Sequence, residues 1–143
     1  MRFMLLVKAD KNSEAGVMPP KELFAEMGKF NEEMAKAGVM LAGEGLHPTS
    51  KGARISYGRG KPTVTDGPFL GAKDLVAGFW LIQVKSKQEA IDWASRAPFG
   101  EGAEVEIRQV FEASDFPPEL FSAEDAARKQ ALRDELQRKA AKS

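Results

Sequence analysis

Apolar residues recur along this chain with two periods, and each change of period marks an element. Phe3 to Val7 is an unbroken apolar run, which reads as a buried strand. Residues 9–18 are mostly polar and close on Pro19-Pro20, a loop leading to a helix start. Leu23, Met27, Phe30 and Met34 then repeat at helical spacing, and Phe24 widens the stripe. Gly38 stands where helices stop. Val39 to Ala42 predicts a second strand, left through the loop Gly43-Glu44-Gly45-Leu46-His47-Pro48. Ala53 to Tyr57 and Lys61 to Thr65 predict a hairpin around Gly58-Arg59-Gly60. Leu75 to Val84 is the strongest strand signal. Ser86 and Glu89 form a capping box for a second helix, which carries Ala90, Ile91 and Ala94 inward and ends before Pro98. Ala103 to Phe111 alternates as a last strand, with Val105 and Ile107 on one face and Glu104, Glu106 and Arg108 on the other.

This order is strand, helix, strand, hairpin insertion, strand, helix, strand. It predicts an α+β fold, the split β-α-β pattern of ferredoxin-like domains. In that topology the first and third core strands are central, and here both are apolar on both faces. Phe3, Leu5 and Val7 oppose Met4 and Leu6; Phe79 and Leu81 oppose Trp80, Ile82 and Val84. Two helices cover one face of such a sheet. Burying each large side chain is worth ~1.5–3 kcal/mol, so an open second face is costly. A second copy packed sheet to sheet is the simplest cover, which predicts a homodimer.

Residues 1–112 read as one domain and 113–143 as a linker with a C-terminal helix. Phe116-Pro117-Pro118 cannot continue a strand ladder. Ser122 caps the helix, with Glu124 and Asp125 in its first turn and Arg138, Lys139 and Lys142 near its end. Its apolar stripe is thin, Leu132 and Leu136 with several alanines.

Composition narrows the function classes. The 21 basic and 21 acidic residues cancel, which argues against a general nucleic-acid binder. With no cysteine, thiolate catalysis, thiol-ligated zinc and iron–sulfur clusters are excluded. A single histidine is a poor start for a metal site, and no metal or cofactor is expected. No apolar run approaches the ~20 residues of a membrane span, and Lys8 and Asp10 come too early for a signal peptide. The expected compartment is the cytoplasm.

Three segments carry a family resemblance: Arg2-Phe3-Met4-Leu5-Leu6-Val7, Gly43-Glu44-Gly45-Leu46-His47-Pro48, and Val64-Thr65-Asp66-Gly67-Pro68-Phe69 before Lys73. Over roughly residues 1–112 the chain resembles the DGPF proteins of the YCII-related group. The resemblance implies a dimeric α+β barrel of two ferredoxin-like subunits. It implies little about activity; some relatives in the wider group are small-molecule enzymes, and others suggest a regulatory setting. The family usually continues Asp-Gly-Pro-Phe with Ala-Glu-Thr-Lys-Glu, where this chain has Leu70-Gly71-Ala72-Lys73-Asp74. An acid is thus missing at Gly71 and a hydroxyl at Ala72. The family also tends to carry arginine where Gly45 stands.

The residues offer several candidates for chemistry. Asp66 reads as a general base at a strand mouth, or as a turn residue whose carboxylate bonds backbone N–H groups. His47 suits acid–base work or a pH switch; its alternatives are a surface histidine and an axial haem ligand. Glu44, between two glycines, makes an acid–base partner for Asp66 if the two converge, and an exposed loop acid otherwise. Lys73 reads as an anion-binding group or as a solvated lysine. Arg54, Tyr57 and Arg59 put cations and an aromatic on one hairpin, which suits an anionic aromatic ligand or simply protects an edge. Phe69 completes the corner. Trp80 and Trp93 read as core or interface residues.

Together these predict a small-molecule enzyme or binding protein, with a cleft lined by Glu44, His47, Asp66 and Phe69. The alternative is a non-catalytic dimeric interaction or regulatory module.

Overall fold

The structure is a computed structural model and describes residues 1–71 and 74–142. The elements run β1 (Arg2–Lys8), α1 (Lys11–Glu14), α2 (Lys21–Lys36), β2 (Met40–Gly45), β3 (Ala53–Ser56), β4 (Thr63–Asp66), β5 (Val76–Gln83), α3 (Lys87–Ser95), β6 (Val105–Gln109) and α4 (Ala123–Lys142). Short 3-10 turns cover Thr49–Lys51 and Ala113–Asp115. Strands β2-β5-β1-β6 form one sheet with every neighbouring pair antiparallel, and β3-β4 form a separate hairpin. This is the ferredoxin-like order expected from the sequence. The chain divides into two compact units, Met1–Val110 and Phe111–Ser143.

Alternation along the central strands sorts their residues between two faces. Leu5 opposes Trp80 and Phe3 opposes Ile82 in register. All four are buried, and they form the core with Phe30 and Met34 of α2, Ala90 of α3 and Val39. Trp80 meets Phe30 edge to face at 5.5 Å between ring centroids. Its indole N–H donates to Asn31 Oδ1 at 2.9 Å, so the buried ring keeps its polar atom satisfied. The indole packs directly on Gly43, where a β-carbon would come within 2.6 Å of the ring. Trp80 and Trp93 are therefore core residues, and Trp93 packs on Phe30 at 6.5 Å.

The opposite face carries Met4 against Leu81 and Leu6 against Phe79. These four are only half-buried. Residues opposed in register share a face, so Ala42 and Glu44 flank the strip on the β2 side and Glu106 and Arg108 on the β6 side.

The helix ends follow their local chemistry. Gly38, at φ +71°, follows the last turn of α2. Ser86 Oγ accepts the Glu89 N–H at 3.1 Å to start α3, but Glu89 reaches back to the Lys85 N–H at 3.0 Å and not to that of Ser86. Residues 9–18 are not all loop. Asp10 accepts the Ser13 N–H at 2.7 Å and Ser13 Oγ accepts the Asp10 N–H at 2.9 Å, closing the one-turn helix α1. The last strand is shorter than its alternation predicts. It ends at Gln109, and Phe111 belongs to the second unit, where it stacks on Phe116 at 5.0 Å.

In that second unit Phe116 also meets Phe121, at 5.7 Å. Ser122 and Asp125 cap α4 reciprocally, side chain to backbone N–H, at 3.0 and 3.1 Å. No described residue of α4 is buried.

Candidate functional site

The Asp-Gly-Pro-Phe corner is built at the open base of the β3–β4 hairpin. Asp66 opposes Ala53 in the last rung, and the Gly67 N–H extends the ladder to the Gly52 carbonyl at 3.0 Å. The Gly67–Pro68 peptide is cis. Gly67 lies directly against the carbonyl of Thr49, leaving no room for a β-carbon. The corner is thus seated on the 3-10 turn that follows His47-Pro48.

Thr49 holds this seat. Its hydroxyl accepts the Phe69 N–H at 3.0 Å and donates to Glu14 Oε2 at 2.6 Å. Its backbone N–H donates to Glu14 Oε1 at 3.0 Å. One carboxylate from α1 therefore accepts from both hydrogen-bond donors of Thr49. Neither Glu14 nor Thr49 stood out in the sequence: they are 35 residues apart and match no motif. The only local hint is a threonine after a proline at the start of a turn.

The predicted residues fall around this corner as follows. His47 lies two residues before Thr49, and Asp66 immediately before Gly67, so the Thr49–Gly67 contact joins the two segments that carry them. Both side chains are exposed. Among the described residues, no hydrogen bond is made to the Asp66 carboxylate; the polar anchor of the corner is Thr49. Glu44 is exposed near the end of β2, in register with Phe79 on the half-covered face of the sheet. Arg54 and Phe69 come together, the guanidinium carbon 3.9 Å from the ring centroid, a cation–π contact that fixes the ring against the hairpin. Tyr57 is 81% exposed. Lys73 lies outside the described residues.

A concave site opens elsewhere in the first unit. A cavity of about 960 Å³ is lined by the end of β1, the segment from α1 into α2, and the start of β6. Lys8, Asp10, Met18, Phe99, Glu104 and Glu106 are among its walls. None of the six described candidates lines it. Among the described residues, no group of three or more histidine, cysteine, aspartate or glutamate side chains is arranged to hold a metal, and no helix is long and apolar enough to cross a membrane.

Comparison with known proteins gives three findings. An uncharacterized protein of Rhizobium meliloti (strain 1021) is 30% identical over 74 residues, which are 52% of this chain. The match spans 60% of that relative's length. A solved 5-chloro-2-hydroxyhydroquinone dehydrochlorinase from Burkholderia phenoliruptrix, in complex with 2,5-dihydroxybenzoquinone, is similar at 15% identity and a TM-score of 0.44, over 82% of this chain and 100% of that one. The model of the YCII-related domain matches residues 1–114, which hold the whole four-stranded sheet, the hairpin and the corner, and the chain belongs to the YCII-related family.

Proposed function

We propose that this YCII-related protein is a cytoplasmic homodimer that binds or transforms a small molecule beside the Asp-Gly-Pro-Phe corner. In this reading Asp66 accepts a proton from the ligand and His47 holds or returns one, with Glu44 as a neighbouring acid. The observation that carries it is the seating of Gly67 on the Thr49 carbonyl, which draws the two segments together. The Glu14–Thr49–Phe69 bonds hold that juncture rigid, and both side chains remain open to a ligand. The half-covered strip of Met4, Leu6, Phe79 and Leu81 supports the dimer. Glu44 shares that face, so a second copy packed there would close a cleft over it.

Hydroxybenzoates are suitable probes: they carry a hydroxyl for Asp66 and a carboxylate for the cations of the hairpin. Binding is read by isothermal titration, and folding by thermal melts. Asp66→Asn is expected to weaken binding by about tenfold or more, since a charged acceptor is lost, while the melting point holds. Equal affinity of parent and variant would remove Asp66 from the site. A large loss of stability with unchanged binding would assign its carboxylate to the turn.

The full exposure of the hairpin, Tyr57 above all, favours a second reading, a non-catalytic interaction module. Absence of any hydroxybenzoate response would turn the balance toward it.

A further inference from the structure

The β3–β4 hairpin is a two-stranded ribbon that pairs with no other strand among the described residues. Such a ribbon is marginal in water unless a surface packs on it. Its base is held by the Gly67–Gly52 bond and by Arg54 over Phe69. Beyond the base it is bare: every residue from Ala53 to Asp66 is exposed. Ile55 and Val64 oppose each other in register and share one face, yet are 55% and 62% exposed. Tyr57 follows two residues on. Arg59 and Lys61 sit in the connecting turn, and the chain has no acidic residue between Glu44 and Asp66. The arm presents an apolar strip and a cationic tip.

The same unit carries the complement. Among the described residues, the cavity at the end of β1 is lined by the carboxylates of Asp10, Asp74, Glu104 and Glu106 and by the ammonium of Lys8, which lies 4.0 Å from Glu106. Its apolar walls include Val17 and Met18, which are 57% and 73% exposed. At about 960 Å³ it is far larger than one side chain. The arm's own exposure means that it does not fill the cavity of its own chain.

We infer that the hairpin arm of one copy seats in this cavity of a second copy. Tyr57 and Ile55 lie against Met18 and Val17, and Arg59 and Lys61 meet Glu104 and its neighbours. Two arms and two cavities close a symmetric pair, so no sticky end is left over. Charge complementarity gives the pairing its register, and burial of the apolar strip stabilises it. This shares the homodimer with the proposed function and uses nothing of the chemistry at the corner.

The absence of cysteine makes the test clean, because an introduced thiol is unique. Chains carrying Tyr57→Cys are mixed with chains carrying Met18→Cys and oxidised. Disulfide formation needs α-carbons within about 7 Å, so only true neighbours link. The mixed dimer is expected to exceed the self-linked Tyr57→Cys species by about tenfold, the ratio that one well-formed contact supports. In parallel, Arg59→Glu and Glu104→Lys are each expected to weaken the dimer several-fold in sedimentation, and their mixture to restore it. A Tyr57→Cys chain that links only to itself, or to nothing while the protein sediments as a dimer, would overturn the arm–cavity pairing. Either result would leave a dimer through the sheet face intact.

Discussion

The carbonyl oxygen of Thr49 occupies the space that a β-carbon on Gly67 would need. The next nearest atoms are also backbone, so the neighbour cannot swing aside as a side chain would. Gly67 is not among the glycines with positive φ. Glycine is required there for close approach and not for an unusual dihedral. Gly67→Ala is expected to lower stability by about 1–3 kcal/mol, as overpacking against a fixed neighbour does. That is roughly 2–4 °C of melting temperature per kcal/mol for a chain of this size. An unchanged melt would mean that the corner can lift off the Thr49 turn freely.

Thr49 should prove as important as the motif it supports. Thr49→Val keeps the shape but deletes the hydroxyl, leaving the Phe69 N–H without its acceptor and Glu14 with one partner fewer. A loss of about 1–3 kcal/mol is expected in urea melts, the cost of a stranded polar group. Glu14→Gln should cost less. The double variant should lose less than the two single losses added, because both act through one network. Strict additivity would show that the three residues do not work together.

The sheet was legible because the pattern behind it is periodic. Phe3 and Leu5 face the helices and Met4 and Leu6 face away, as their alternation requires. The caps at Ser86 and Ser122 were legible because capping is local. The seat of the corner was not. Glu14 and Thr49 meet across 35 residues through hydrogen bonds that no spacing announces. Helix α1 escaped notice because it has one turn and no apolar face; its reciprocal Asp10–Ser13 cap is what holds it. Arg54 and Phe69, read separately as ligand contacts, satisfy one another in a contact between strand and corner. The cavity gathers residues from the β1 end, the loop into α2 and β6, so tertiary packing alone assembles it.

Leu81 opposes Met4 and Ala42 at the middle of the half-covered face. A dimer through this face should bury well over ~1,000 Å² in total. Leu81→Asp would place a carboxylate in that apolar contact. It is expected to shift the protein from dimer to monomer in sedimentation at micromolar concentration, with helix and strand signals in circular dichroism retained. A parent that sediments as a monomer would remove the dimer outright.

The second unit should be dispensable for folding of the first. Residues 1–110 form a compact unit, and α4 contributes no buried residue. A chain ending at Glu112 is expected to melt cooperatively, within about 1 kcal/mol of the parent, as changes outside a core usually do. Insolubility of the shortened chain would show that residues 113–143 cover essential apolar surface.

Asp125 gives α4 a defined response to acid. The Ser122 backbone N–H donates to its carboxylate, and Arg128 adds a second hydrogen bond, so its pKa lies below the ordinary aspartate value. The sign follows from which form the folded state prefers. The unfolded chain binds the proton at the ordinary value and the folded chain only at a lower one. The cap's contribution is therefore complete above the ordinary value and is lost as pH falls through the lowered one. Helicity read at 222 nm on the full chain should decline in that acid window. The comparison is with Asp125→Asn, which isolates this one carboxylate. The variant should be less helical at neutral pH, and the gap between the two proteins should close on acidification. A gap that stays constant with pH would mean that the carboxylate charge contributes nothing to the cap.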